Sequence, residues 1–168
     1  IEDELVAAQI TSVSPDPARH MVMLDKGSID GLREGQPVLG AEGLMGQIVM
    51  VGQHNSRAVL ITDSAHALPV QVNRSGLRAI AEGRGRIDQL VIRHLAATTD
   101  IRVGDLLVTS GLGGRFPHGY PVARVTDVTI SPGDAFAEVN AAPSSALDRG
   151  RFVLVVARES ADLIQPCL

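Results

Sequence analysis

Short apolar segments separated by turn residues run along almost the whole chain. Ala7 to Val13, Met21 to Leu24, Pro37 to Leu39, Leu44 to Val51 and Ala58 to Ile61 form a first series, punctuated by Ser14-Pro-Asp-Pro17, Asp25-Lys-Gly27 and Gly52-Gln-His-Asn55. A second series follows at Leu68 to Val72, Arg78 to Ala81, Leu90 to His94, Asp105 to Val108, Val122 to Ile130, Ala137 to Val139 and Phe152 to Val156. Apolar runs this short, bounded by Gly, Pro, Asn and Asp, read as strands, because helices need longer stretches of 3.6-residue periodicity. Val59-Leu-Ile61 and Phe152-Val-Leu-Val-Val156 lack polar alternation. Such runs imply burial on both faces, as where two barrels meet. Only the start differs. Ile1, Leu5 and Ala8 fall on one helical face, with Glu2, Asp3 and Glu4 elsewhere; this is the pattern of the last turns of an amphipathic helix, or of a frayed terminus.

The two series can be laid on each other. Leu32-Arg33-Glu34-Gly35-Gln36-Pro37-Val38 aligns with Ile101-Arg102-Val103-Gly104-Asp105-Leu106-Leu107 at an offset of 69, and Gly46, Ile48 and Val51 align with Ala123, Val125 and Val128 at an offset of 77. The offsets differ by eight residues, and the difference falls in Gly111-Leu-Gly-Gly-Arg-Phe-Pro-His118. The second series therefore reads as the first with one loop extended, although shared turn chemistry alone could give few-identity matches of this kind. If the repeat is real, each copy is a small β-barrel and the two barrels pair.

The extended loop is the most particular stretch of the chain. From Ile101 to Val125 a turn at Gly104-Asp105, a strand, a loop carrying Gly111, Gly113, Gly114, Pro117, Gly119 and Pro121, and a second strand follow one another. Gly-Asp, then Thr109-Ser-Gly-Leu-Gly-Gly114, then Phe116-Pro-His-Gly-Tyr-Pro-Val122 resembles the extracytoplasmic core of the MreC family of bacterial rod shape-determining proteins. Val22-Met-Leu-Asp-Lys-Gly27, Asp30-Gly31, Gly35-Gln-Pro-Val38, Gly43-Leu-Met-Gly46-Gln-Ile48 and Leu60-Ile-Thr-Asp63 are similar to that family's pattern in the same order, so the resemblance covers roughly residues 6 to 157. It implies two β-domains, the second set into the first, with the segment near Phe152 to Val156 returning to the first barrel. It also implies a membrane helix and a coiled coil upstream, which favours reading Ile1, Leu5 and Ala8 as the end of that stalk.

Composition narrows the core. The chain has 168 residues and is 45% apolar, yet holds three Phe, one Tyr and no Trp. Its core must be aliphatic, which suits thin barrels filled by branched side chains. A formal charge of -4 and the scarcity of aromatics exclude an obvious nucleic-acid surface, which needs clustered cations and stacking rings. The single Cys167 permits no internal disulfide. No apolar run approaches the ~18 residues of a membrane helix, and the chain begins at Ile1 without Met, so a targeting or anchoring segment is expected upstream.

Candidate chemistry is sparse. His54, then Asp63 or Asp100, then Ser110 follow the chain order of chymotrypsin-like triads on a possible double barrel. Against that, Thr109 directly precedes Ser110, Asp105 lies five residues before it, and Gly52-Gln-His-Asn55 reads as an ordinary hairpin connection. Histidines 20, 54, 66, 94 and 118 show no spacing of a zinc pair, and neither Gly83-Arg-Gly-Arg86 nor Gly111-Leu-Gly-Gly114 has a phosphate-loop ending, so no metal or cofactor is expected.

The expected fold is therefore all-β, two small barrels side by side after a short helical remnant. Its expected parts are residues 1–9 as the end of a helical stalk, 10–65 plus 136–158 as the first barrel, 66–135 as the inserted second barrel, and 159–168 as a disordered tail. Gly35, Gly104, Asp105, Gly111, Gly114, Pro117, Gly119 and Pro121 are expected to shape turns and the long loop. Leu112, Phe116 and Tyr120 are candidates for a partner-binding surface, because rigid rings dominate many interfaces; the competing reading makes Phe116 and Tyr120 plugs closing the end of the second barrel. The resemblance implies a non-enzymatic scaffold of lateral peptidoglycan synthesis on the periplasmic side of the inner membrane. It would self-associate to a dimer or filament and contact a penicillin-binding elongation transpeptidase, MreD and, indirectly, MreB. The alternative is a serine hydrolase using Ser110.

Overall fold

The computed structural model describes residues 4–93, 95–112, 116–130, 133, 135–147 and 150–157. Within them the chain forms β1 (Glu4–Val13), β2 (Met21–Leu24), β3 (Pro37–Leu39), β4 (Leu44–Val51), β5 (Ser56–Leu60), β6 (Ala67–Val72), β7 (Arg78–Gly83), β8 (Leu90–Arg93), β9 (Leu106–Thr109), β10 (Pro121–Thr129), β11 (Glu138–Pro143) and β12 (Phe152–Ala157), with a 3-10 turn at Ser28–Asp30. Six strands close a first barrel in the order β1-β12-β3-β4-β5-β2, and six close a second in the order β10-β11-β8-β7-β6-β9. Closure removes the exposed sheet edges that open β-sheets must protect.

The core is aliphatic on both sides. Val22, Leu24, Val38, Ile48, Ala58 and Val155 fill the first barrel, and Leu68, Val70, Val72, Leu90, Ile92, Leu107, Val125 and Val139 fill the second, all almost wholly buried. Each such side chain contributes on the order of 1.5 to 3 kcal/mol on burial, which together offsets the entropy of ordering short strands.

The repeat read from the sequence holds at the level of individual hydrogen bonds. Gly35 N–H donates to Ile48 C=O at 2.7 Å and Gly104 N–H to Val125 C=O at 2.8 Å; the returning bonds, Ile48 to Gln36 and Val125 to Asp105, are both 2.9 Å. Both glycines are left-handed, with φ of 93° and 94°. The Gln36 and Asp105 side chains accept, at 2.8 Å each, from the backbone N–H of Arg33 and Arg102. The ladders agree as well. Leu154 opposite Leu39 and Val155 opposite Val38 match Gln71 opposite Val108 and Val72 opposite Leu107. Ile48–Ala58 and Met50–Arg57 match Val125–Ala141 and Asp127–Asn140, with the same bulge between them. Strand for strand, β12-β1-β2-β3-β4-β5 corresponds to β6-β7-β8-β9-β10-β11. The second barrel is thus a circularly permuted counterpart of the first: its six strands are consecutive, whereas the first must wait for β12.

Three sequence expectations change. Residues 4–9 are strand, not the end of a helix: Leu5 and Ala8 satisfy a helical face, but β1 pairs with β12 from Glu4–Ala157 through Gln9–Phe152, and that long-range ladder overrides a weak local pattern. Residues 1–3 lie outside the described part, as do 158–168 with Cys167. Next, β11 belongs to the second barrel and not to the first, because Val139 and Ala141 face inward between β10 and β8; the strands of the second barrel therefore run on to Pro143. Finally, the run Phe152 to Val156 is buried on both faces only at its end: Val153 and Val155 point into the core and Val156 on the other face is buried too, while Phe152 is 71% exposed and Leu154 is exposed beside it.

The barrels meet through glycine-permitted contacts. The connection at residues 61–66 lies against Gly83, where a Cβ would overlap the Asp63 carbonyl oxygen. At the opposing hairpins, Gly43 abuts the Pro121 carbonyl and Gly40 the Ser145 hydroxyl.

Candidate functional site

The extended loop of the second barrel is anchored at its base by one buried threonine. Thr109 N–H donates to Tyr120 C=O at 2.9 Å, its carbonyl accepts from Gly119 N–H at 2.9 Å, and its hydroxyl donates to the Pro117 carbonyl while accepting from Tyr120 N–H at 2.9 Å. Gly119, at φ 101°, and Gly111, at φ 78°, supply the left-handed turns that fold the loop back on itself. In the first barrel the paired residues Leu39 and Leu44 enclose only residues 40–43, eight fewer than the twelve between the paired Val108 and Pro121, so this projection has no equivalent there. Pro121 starts β10 opposite Val108. Gly114 lies outside the described residues.

The three candidate contact residues separate. Phe116 is 3% exposed and meets His66 edge-to-face with ring centroids 6.5 Å apart, the burial that the plug reading expects. Leu112 is 46% exposed and Tyr120 half-buried. Of the three candidates, those two are the ones solvent reaches.

Two acidic clusters hold the frame. Asp105, buried beneath the turn before β9, receives Arg74 Nε and Nη2 at 2.9 Å each, and Arg74 also reaches Asp100 at 3.0 Å. The Arg74 guanidinium holds the carboxyls of Asp105 and Asp100 below their ordinary range, although desolvation opposes it. Asp63 is wholly buried in the connection between barrels. Burial alone would push its carboxyl up, but backbone N–H groups of Ala65 and His20, both at 2.8 Å, and Arg19 Nε at 3.0 Å hold it below the usual value. His20 Nδ1 completes the latch at 2.8 Å from the Thr62 hydroxyl.

These partners leave no triad. Asp63 and Asp100 are committed to arginines and backbone amides and orient no histidine, His54 sits exposed in the turn between β4 and β5, and the Ser110 hydroxyl accepts from Leu112 N–H at 3.2 Å in a local turn. Among the described residues no group of three or more His, Cys, Asp or Glu is gathered as for a metal ion. No helix among them is long and apolar enough to cross a membrane.

The model of the rod shape-determining protein MreC, barrel core, matches residues 10–157. Cell shape-determining protein MreC of Escherichia coli (strain K12) is 48% identical over 155 residues; the match takes in 92% of this chain but only 42% of that protein. The crystal structure of MreC from Pseudomonas aeruginosa superposes with a TM-score of 0.88 at 51% identity, covering 92% of this chain and 99% of that one. A further structure of the same fold, with a TM-score of 0.67 at 21% identity and covering 94% of this chain and 100% of its own, comes from a complex between Penicillin-Binding Protein (PBP2) and MreC from Helicobacter pylori. With all of both barrels but the start of β1 inside the matched region, and 51% identity to a solved member, the chain belongs to the MreC family.

Proposed function

We propose that the double barrel is the extracytoplasmic core of a non-enzymatic cell-shape scaffold that positions peptidoglycan synthesis along the lateral wall. The observation that carries this reading is the match of both barrels, at about half identity, to proteins named for determining cell shape. The packing supports it: the acidic side chains that could orient a base are spent on holding loops and barrels together.

On this reading the partner is a penicillin-binding elongation transpeptidase, a choice supported by the Helicobacter pylori neighbour, which comes from a complex with Penicillin-Binding Protein (PBP2). MreD, and MreB indirectly, complete the assembly, which self-associates to a dimer or filament and is tied to the inner membrane by a helix upstream of the barrels. The contact surface is the loop carrying Leu112 and Tyr120, with Phe116 holding the loop down from within.

The test is affinity for the transpeptidase ectodomain, measured for Leu112→Glu and Tyr120→Ala beside the parent. Weakening of about tenfold or more with unchanged melting supports the contact. Parental affinity in both variants would remove the loop from the interface, and labelling of Ser110 by a fluorophosphonate would restore the hydrolase reading.

A further inference from the structure

The permuted repeat lets each barrel serve as a control for the other. A transverse row on the outside of the first barrel runs from Met23 to Arg57 to Met50 across β2, β5 and β4. The corresponding row on the second barrel is Val91, Asn140 and Asp127. Inside, both rows sit over the same kind of residue: Val22, Ala58 and Ile48 in one, Leu90, Ala141 and Val125 in the other, all buried. The barrel therefore demands aliphatic residues within and accepts polar ones without. Two methionines around an arginine are not a requirement of the fold.

That row divides two adjoining depressions which share Met23 and Arg57. The larger, about 320 Å³, is also lined by Val13 and Met21, and the smaller, about 140 Å³, by Met50 and Val51. Val13 is 66% and Met50 55% exposed. Arg57 is exposed and has no ion-pair partner among the described residues.

We propose that this groove docks an extended segment of another protein that presents one acidic side chain between two large apolar ones. The apolar side chains enter the depressions, and the carboxylate lies across the Arg57 guanidinium. Unbranched thioethers repack around varied apolar shapes, as methionine-lined binding surfaces do. A guanidinium takes a carboxylate through two parallel bonds, and covering Arg57 with apolar groups alone would leave a desolvated charge unmatched. Together the depressions reach across β1 to β4, three strand spacings or about 14 Å, a width that an extended segment with side chains four residues apart on one face can cover. A membrane surface is the poorer occupant, because anionic lipid is held by several clustered cations, and here Arg57 stands beside only Arg19, which reaches Met21 Sδ but is already paired with Asp63, in a concavity on a chain of formal charge -4.

The experiment follows the methionine methyl resonances of the whole chain, with buried Met45 as internal reference. The probe is a short peptide with Glu at its centre and Leu two places to either side, compared with the same peptide centred on Lys and with vesicles containing anionic lipid. The expected result is movement of the Met23 and Met50 methyls, not of Met45, by the Glu peptide, with at least tenfold weaker binding of the Lys peptide. Arg57→Glu should exchange that preference, a gain that an unfolded variant could not show. The proposal fails if neither peptide moves these methyls, if both bind alike, or if vesicles alone move them.

Discussion

Asp63→Asn tests whether one buried carboxylate latches the connection between the barrels onto the first of them. The native oxygens accept from Ala65 N–H and His20 N–H, each at 2.8 Å, and both from Arg19 Nε. Asparagine can keep one of the backbone donors, but its amide nitrogen then faces the other, donor against donor. A buried N–H left without an acceptor costs about 1 to 3 kcal/mol. The lost charge on Arg19 adds less than a buried ion pair would, because that side chain is 46% exposed and screened by solvent. Together the variant should lose about 3 kcal/mol at neutral pH, or roughly 6 to 12 °C of melting temperature for a chain of this size. Acidification gives the second reading. The folded carboxyl lies below its unfolded value, so its stabilisation is complete above the unfolded carboxylate pKa and disappears as pH falls through the folded one. The gap between parent and Asp63→Asn should therefore narrow in acid, whereas a gap from altered packing would persist. Equal melting at neutral pH, or a gap that acid leaves unchanged, would refute the latch.

Phe116→Ala should cost about 3 to 5 kcal/mol in chemical denaturation as a core truncation, while Leu112→Ser, 46% exposed, should melt within about 0.5 kcal/mol of the parent. Asp105→Ala removes the acceptor of Arg102 N–H and Arg74, and should cost about 1 to 3 kcal/mol near neutrality; because the native carboxyl is depressed, the difference from the parent should again fade in acid, and a constant difference would argue against the ion pair. Gly83→Ala places a Cβ against the carbonyl oxygens of Thr62 and Asp63, and should lower the melting midpoint by the equivalent of about 1 to 3 kcal/mol. The corresponding position in the first barrel is Val13, 66% exposed, where Val13→Ala should change little.

What the sequence disclosed follows from what is local. Pro37–Leu39 and Leu44–Val51 were legible residue for residue because turn glycines and prolines bound them on both sides. The offsets of 69 and 77 survive as paired hydrogen bonds, because Gly35-Gln36 and Gly104-Asp105 make the same left-handed turn, and such a turn leaves a mark on composition. Strand partnership leaves none. Only the start of β1 reads as helix, Ala7 to Val13 being legible as strand, because its ladder partner begins some 140 residues further on, at Phe152, and three apolar positions cannot tell a helical face from half a strand. β11 was assigned to the wrong barrel for the same reason: Asn140 interrupts its apolar run, and only the ladder to β8 shows where it belongs. The methionine groove was equally hidden. Met23, Met50 and Arg57 are unremarkable in the sequence and become a surface only when β2, β5 and β4 lie side by side. Circular permutation explains why the duplication looked weaker than it is. An end-to-end alignment sets β1 against β6, whereas the barrels agree throughout only when β12 is placed before β1, and only in that frame does Leu154 fall on Gln71. The interiors then match in kind while outward residues part, Leu154 against Gln71 and Met50 against Asp127. A duplicated fold needs both copies of its core but not both copies of its surface, so functional differences between the copies should be sought where the interiors agree and the outward residues do not.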